Sequence, residues 1–290
     1  MSNILEETNF ILKKYKIKAN KSLGQNFLIR QEVVDKIVES SNISKEDLVI
    51  EIGPGLGTLT KELLEKAGKV IAIELDDKML QILNDRFALY DNFELINNDV
   101  LKVDLGKIIK KEKKENNLKK AKVVANLPYY ITTPIIMKLL EEKLDLESIT
   151  VMIQKEVADR LAEIPGGKNT GAITYTVYFY AETEKILEVP NNSFIPEPEV
   201  TSEVIKLNIR KEEPIKVDDK ELLFKIIKNA FMQRRKTLLN GLTNAKIFKN
   251  KEEGIKVLKE LGISENIRAE KLTLEQFAQL SDLLIKDSEN

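Results

Sequence analysis

The 290-residue chain is 42% hydrophobic and 32% charged, the composition of a globular protein, and at ~100–200 residues per domain its length predicts one large domain or a large one followed by a smaller one. It has no cysteine and no histidine, which excludes thiolate and imidazole zinc sites, Ser-His-Asp and Cys-His nucleophiles and imidazole general bases. The formal net charge of −1 conceals basic clusters of the kind that hold phosphates: Lys13, Lys14, Lys16, Lys18 and Lys21 near one end, and Arg234, Arg235 and Lys236 near the other.

No apolar run reaches the ~20 residues of a membrane span, and the opening MSNILEETNF carries acids where a signal peptide is basic, so a cytoplasmic location is expected. Along the chain, short β-branched runs alternate with amphipathic helical patterns from about residue 31 to 210. Strands are predicted at 48–52, 69–73, 93–97, 122–125, 148–154, 172–181 and 204–210, and helices at 31–40, 59–65, 78–87, 133–142 and 155–161. The last two strands are joined through a Pro- and Asn-rich loop without a crossover helix, which predicts an antiparallel pair at one edge. The KKEKKENNLKK stretch at 110–120 shows no apolar period and reads as a solvated loop. Beyond 210 the strand signal ends, and apolar residues recur at helical spacing in 220–231, 235–241, 252–261 and 274–284. The expected fold is therefore α/β, a Rossmann-like sheet of seven strands over residues 1–210 with a small α-helical domain over 211–290.

The chemistry gathers where the first four strands end. The first runs into Gly53-Pro54-Gly55-Leu56-Gly57, a turn whose glycines let a backbone approach a ligand closely. The second ends in Glu74, placed where a ribose would offer two hydroxyls, and the third is followed by Asp99. A tight turn without a ligand, and a helix cap for Asp99, are the plain structural alternatives. The spacing E-x-G-x-G-x-G, led by Glu51, resembles the first motif of S-adenosylmethionine enzymes more than the G-x-G-x-x-G of dinucleotide binders.

After the fourth strand comes Asn126-Leu127-Pro128-Tyr129. The exocyclic amino nitrogen of a base is a poor nucleophile because its lone pair is delocalised into the ring. The Asn126 side-chain oxygen and the Leu127 carbonyl can accept both amino hydrogens, Pro128 stiffens the backbone that presents the carbonyl, and Tyr129 can stack on the base. No strong base is required, since the newly alkylated nitrogen is acidic, which suits a chain without histidine. Phe194, held beside Pro196 and Pro198, reads as either a core anchor or a stacking platform, with the core favoured on the residues alone.

Together with KSLGQNFL at 21–28, NLPYYITTPI at 126–135, IQKEVADRL at 153–161, FIPEPEVTSEVIKL at 194–207 and FMQRRKTLLNGL at 231–242, these motifs resemble the KsgA-type ribosomal RNA adenine dimethyltransferases over nearly the whole length. The resemblance implies S-adenosylmethionine as cofactor, with Asn26 and Leu28 closing over it. It also implies that Gly53 contacts its methionine part, that Gly55 belongs to the same cofactor-binding turn, and that Glu74 lies at the ribose, Asp99 at the adenine, and Asn126 at both cofactor and target. Phe194 is then expected to face Tyr129 across a flipped base. The implied reaction converts two adjacent adenosines near the 3′ end of 16S rRNA, within the immature small subunit, to N6,N6-dimethyladenosine. The enzyme is expected to be monomeric, metal-free and unattached to membranes, with its helical domain on RNA. The related macrolide-resistance methyltransferases of large-subunit RNA and a non-catalytic assembly factor on the same fold are the alternatives. Pro54, Leu56, Leu127 and the 231–242 segment disfavour the first, and an intact Glu74, Asp99 and Asn126 disfavour the second.

Overall fold

The computed structural model describes residues 4–20, 23–233 and 235–289. Lys21, Arg234 and the first two positions of KSLGQNFL lie outside them. The strands are β1 (Phe27–Leu28), β2 (Asp47–Ile52), β3 (Lys69–Glu74), β4 (Phe93–Asn97), β5 (Lys120–Asn126), β6 (Ser148–Gln154), β7 (Ala181–Val189), β8 (Phe194–Ile195) and β9 (Ser202–Ile209). The helices are α1 (Ile4–Lys14), α2 (Gln31–Ser40), α3 (Thr58–Lys66), α4 (Asp77–Phe87), α5 (Leu105–Glu115), α6 (Thr132–Glu141), α7 (Lys155–Leu161), α8 (Ala172–Tyr180), α9 (Lys220–Met232), α10 (Leu238–Asn244), α11 (Lys251–Glu260) and α12 (Leu274–Glu289). Two compact units result, one of Met1–Ala158 with Glu182–Ile209, the other of Asp159–Ala181 with Arg210–Asn290. Segment 159–181, read from the sequence as part of the first domain, groups with the helices.

The sheet unit is built on seven strands in the order β4-β3-β2-β5-β6-β9-β7. β2 pairs in parallel with both β3 and β5, β4 and β6 extend the parallel run on either side, and β9 lies antiparallel to β6. Every residue of β2 is buried, as a strand covered on both faces requires, and this is why its sequence reads as a continuous run rather than an alternation. From β2 the chain steps outward to β3 and β4, then returns across the sheet to β5. Between β2 and β5 the strand order reverses, the place where such sheets open a crevice at their C-terminal ends. A separate two-stranded ribbon pairs β1 with β8.

Two expectations are corrected by the structure, and one helix is added to them. The segment predicted as a strand at 172–181 is helix α8, and the edge strand is the following β7. AITYTVYFY is rich in β-branched and aromatic residues and shows no apolar stripe, because α8 is buried nearly all round in the helical unit. Second, the lysine-rich stretch is not a loop throughout. Helix α5 starts upstream of it, where the Asp104 side chain accepts from the Lys107 N–H, and it buries Leu105 and Ile109 one turn apart while its lysines face outward. The added helix is α1 at Ile4–Lys14, and it contributes Ile4 and Ile11 to the sheet unit's core.

The helical unit has its own core, in which Tyr175 and Phe179 of α8 pack with Leu223, Ile226, Leu242, Phe248, Val257 and Phe277. The Tyr175 ring meets Phe277 edge-on at 5.0 Å, and its hydroxyl donates to the Leu272 carbonyl at 2.7 Å. Among the described residues, no helix is long and apolar enough to cross a membrane.

Candidate active site

The C-terminal ends of β2, β3, β4 and β5 converge on one cleft. Gly53, Glu74, Asp99, Asn126, Leu127, Pro128 and Tyr129 all line it, and Asn26 lies on the opposite wall in the segment that leads into β1. Residues more than a hundred positions apart in sequence are thus brought to one edge of the sheet.

Backbone geometry explains the glycines. Gly53, Gly55 and Gly57 have φ of 67°, 57° and 80°, the left-handed region in which a side chain is strained. Gly55 does not face the cleft directly. Its N–H donates to Glu74 Oε2 at 3.2 Å, while Glu74 Oε1 accepts from the N–H groups of Leu75 and Asp76, each at 2.9 Å. Turn and carboxylate therefore form one unit, which fixes the Glu74 side chain before any ligand arrives. Burial raises the Glu74 pKa above the usual carboxylate value, and these backbone donors hold it back towards the ionised form. Each carboxylate oxygen can accept more than one bond, so capacity remains for hydroxyl donors from a ligand.

Asp99 is a turn cap that also lies at the cleft. One oxygen accepts from the Leu101 N–H at 3.0 Å and caps the short turn Val100–Lys102, and the residue also lines the cleft.

At the end of β5, the Asn126 amide donates through Nδ2 to the Asn26 carbonyl at 3.2 Å, and the Asn26 amide donates to the Gly24 carbonyl at 3.2 Å. With its nitrogen thus engaged, Asn126 keeps its amide oxygen for a donor. The following turn is pinned on both sides. The Leu127 N–H donates to the Met152 carbonyl at 3.1 Å, and the Pro128 carbonyl accepts from the Ile131 N–H at 3.2 Å and the Thr132 hydroxyl at 3.1 Å. The Tyr129 hydroxyl lies 2.6 Å from Ser202 Oγ of β9, and burial raises its pKa, so this phenol stays protonated.

Two residues placed at the site by resemblance lie elsewhere in this geometry. Leu28 and Phe194 are register partners in the β1–β8 ribbon, and both side chains sit in the sheet unit's core, Phe194 only 1% exposed. Burial of two large apolar side chains accounts for their position, so the core reading describes Phe194 here. Conversely, Gln25, Leu75, Asn98 and Tyr130 line the cleft although sequence reasoning misses them. Each neighbours a motif residue, and that adjacency is the available signal. Gln25 ties the wall across the cleft, donating from Nε2 to Asp76 Oδ2 at 2.8 Å.

Behind the cleft, Glu51 at the head of the glycine motif is fully enclosed, and its Oε2 has no hydrogen-bond partner. Burial pushes its carboxyl up to about 8, with the neighbouring Glu74 charge adding to the rise. It is neutral over most of the physiological range.

The assembled parts are a carboxylate held by backbone donors, a glycine turn, a capping aspartate, and an asparagine with a free carbonyl oxygen beside a proline-stiffened turn and a ring. Such a site has the acceptors and close backbone approach that a nucleoside-containing cofactor requires along the sheet edge, and further acceptors that suit an amino group.

The family model described as ribosomal RNA adenine dimethylase matches residues 16–286. A curated relative from Lachnoclostridium phytofermentans, called ribosomal RNA small subunit methyltransferase A, is 48% identical over 281 residues, 96% of each chain. One of the same name from Clostridioides difficile is 46% identical over 277 residues, 96% of this chain and 94% of that one. Among solved structures, a dimethyladenosine transferase from Plasmodium falciparum superposes with a TM-score of 0.72 at 27% identity, covering 91% of this chain and 98% of that one. The 23S rRNA methyltransferase ErmE shares the fold, with a TM-score of 0.65 at 23% identity over 90% of this chain and all of that one. With nearly its whole length matched and its sheet-edge residues in place, the chain belongs to the ribosomal RNA adenine dimethylase family.

Proposed function

We propose that the protein transfers methyl groups from S-adenosylmethionine to N6 of two adjacent adenosines in the 3′-terminal hairpin loop of 16S rRNA, giving N6,N6-dimethyladenosine during small-subunit assembly. The observation that carries this reading is the Asn126 amide, oriented by the Asn26 carbonyl so that its oxygen is left for an amino group, in the same cleft as Glu74 and Gly53. The names of the curated relatives support the choice of small-subunit RNA.

Each residue has a distinct task. Glu74 accepts from ribose hydroxyls, the turn at Gly53 and Gly55 gives the methionine end close access, and Asp99 accepts from the adenine amino group. When bound, S-adenosylmethionine supplies a methyl group on a positively charged sulfur. Asn126 Oδ1 and the Leu127 carbonyl accept the two hydrogens of the target amino group, which turns its lone pair out of the ring and towards that methyl. Pro128 keeps the carbonyl aimed, and Tyr129 stacks on the flipped base. The proton leaves to water. Leu28 and Phe194 act in this arrangement from behind the wall, holding β1 against β8. Stacking by Phe194 on the opposite face of the base would require β8 to shift so as to uncover its ring.

The helical unit is assigned to RNA. Arg235 and Lys236 lie exposed between α9 and α10, where they can neutralise phosphates without reading sequence. The reading includes action as a monomer in the cytoplasm without a metal.

Small subunits lacking the modification, incubated with labelled cofactor and then mapped by reverse transcription, test the proposal, because two methyl groups on N6 block the Watson–Crick edge. Stops at the paired adenosines near the 3′ end of small-subunit RNA are expected, with little labelling of naked RNA, which presents fewer of the shape and backbone contacts. Stops confined to large-subunit RNA would transfer the case to the macrolide-resistance class. Tight cofactor binding without any stops would indicate an assembly factor.

A further inference from the structure

We propose that Tyr130 is a stacking platform for the nucleotide that adjoins the target adenosine, holding it at the mouth of the cleft while its neighbour is inside. The proposal rests on the reading that the substrate is a pair of adjacent adenosines.

Tyr129 and Tyr130 are consecutive in one short turn, Tyr129–Ile131, yet their rings go to different places. Tyr129 is largely buried, and its hydroxyl is taken by Ser202. Tyr130 is 56% exposed while still lining the cleft. Exposing so much of a large aromatic side chain forgoes apolar burial, and single exposed apolar residues need no explanation by themselves. Three observations set this one apart.

First, its position is the rim of the cleft in which the methyl transfer is placed. Second, the ring is braced. It lies over Gly24, where a Cβ would come within 3.3 Å of Tyr130 Cδ1, and Gly24 has φ of 60°, so a larger residue there is disfavoured on both counts. The wall bearing Gly24 is itself tied down by Gln25 to Asp76 and by the Asn26 carbonyl to Asn126. The edge of the ring thus rests on a fixed support, and much of its surface is left to solvent. Third, its hydroxyl makes no hydrogen bond among the described residues, so no polar contact explains why the ring stands where it does.

A flipped nucleotide must be accompanied by its neighbours along the strand, and an unpaired base beside it loses its stacking partner when the target leaves the stack. An aromatic ring at the mouth replaces that partner without regard to base identity. Because the two target adenosines are adjacent, one of them would rest on Tyr130 while the other is methylated.

The test is kcat/KM for small subunits lacking the modification, measured on the full-length protein for the parent, Tyr130→Phe, Tyr130→Leu and Tyr130→Ala, with S-adenosylmethionine affinity measured calorimetrically alongside. Phe keeps the ring, and Leu keeps much of the bulk without it. Tyr130→Phe is expected near the parental value, and both Tyr130→Leu and Tyr130→Ala roughly tenfold lower, from the usual strength of base–aromatic stacking, with cofactor affinity unchanged in all. Tyr130→Leu at the parental value overturns the platform while leaving the enzyme's function intact. A matching loss of cofactor affinity also overturns it, since the ring would then be shaping the cofactor pocket. A parent that places no methyl groups on these subunits overturns both the platform and the functional reading beneath it.

Discussion

The sheet unit and the helical unit bury polar groups in opposite ways. Among the described residues, every buried charged side chain, including Asp47, Glu51, Glu74, Glu112, Lys122, Glu203 and Lys206, belongs to the sheet unit. The buried polar side chains of the helical unit are hydroxyls, such as Tyr175, Thr174, Thr176 and Ser281. Burying charge is costly unless it is paired, so a fold retains it where structure or chemistry requires it. Some of the sheet unit's charges are plainly structural: Lys122 meets Asp47 at 3.0 Å inside the sheet. Glu74 and Glu51 differ, the first held by backbone donors at the cleft and the second left with an unpartnered oxygen behind it. The contrast separates a unit organised for stability from one that carries strained electrostatics at its working edge.

The largest expected effect breaks the helical side of this contrast. Tyr175→Ala removes a fully buried ring and its hydroxyl bond, and by the scale of aromatic truncation in cores it should cost ~3–5 kcal/mol. Tyr175→Phe should cost about 1 kcal/mol, the worth of the hydrogen bond. Denaturant unfolding measures both. In the still-folded variants, calorimetric affinity for S-adenosylmethionine should be unchanged, and its loss would show that the two units are not separable in this way.

On the sheet side, Glu51 predicts a pH dependence. Its folded pKa of about 8 lies above the ordinary value of 4.5, so the folded state binds the proton more tightly. The stability this supplies is complete below about pH 4.5 and is lost as the pH rises towards and through 8. At roughly 1.4 kcal/mol for each tenfold difference in proton affinity between the folded and unfolded chain, the loss amounts to a few kcal/mol at most. Glu51→Gln, measured without cofactor, should flatten the slope over this window and be the more stable protein at pH 9. Identical pH profiles for parent and variant would mean that Glu51 is ionised in the fold at little cost.

The smallest of these effects concerns the ligand. Glu74→Ala should weaken S-adenosylmethionine binding by about tenfold, the scale of a charge-assisted hydrogen-bond pair that is partly replaced by water. Unchanged affinity by calorimetry would remove Glu74 from the cofactor site.

Legibility follows the same division. Strands β2, β3, β5 and β6 and the residues at their ends are readable because a parallel sheet buried on both faces leaves continuous β-branched runs, and because the turn after β2 and Asn126-Leu127-Pro128-Tyr129 require particular residue types. Helix α8 is not readable. Its aromatic and β-branched residues favour a strand locally, and only the core of the helical unit, drawn largely from segments far along the chain, makes a helix of them. Helix α5 is hidden by its lysines, since two buried apolar residues set the face and the rest is solvated. Phe194 shows a different limit. Its flanking prolines announce a shaped loop, but whether the ring points to the core or the cleft depends on the ribbon formed with Leu28, and no local pattern encodes that pairing. Tyr130 escapes a sequence reading because its distinction is exposure at a rim, a property of the assembled cleft.

The central claim is that Asn126 orients the amino group for transfer instead of merely holding RNA, and the most direct measurement is the single-turnover rate of Asn126→Ala on small subunits lacking the modification, with subunit affinity determined in parallel. A rate roughly 100-fold below the parent is expected, the scale for losing one preorganised hydrogen-bonding group, with subunit affinity nearly unchanged. A parental rate, or a loss explained entirely by weaker subunit binding, would contradict the claim.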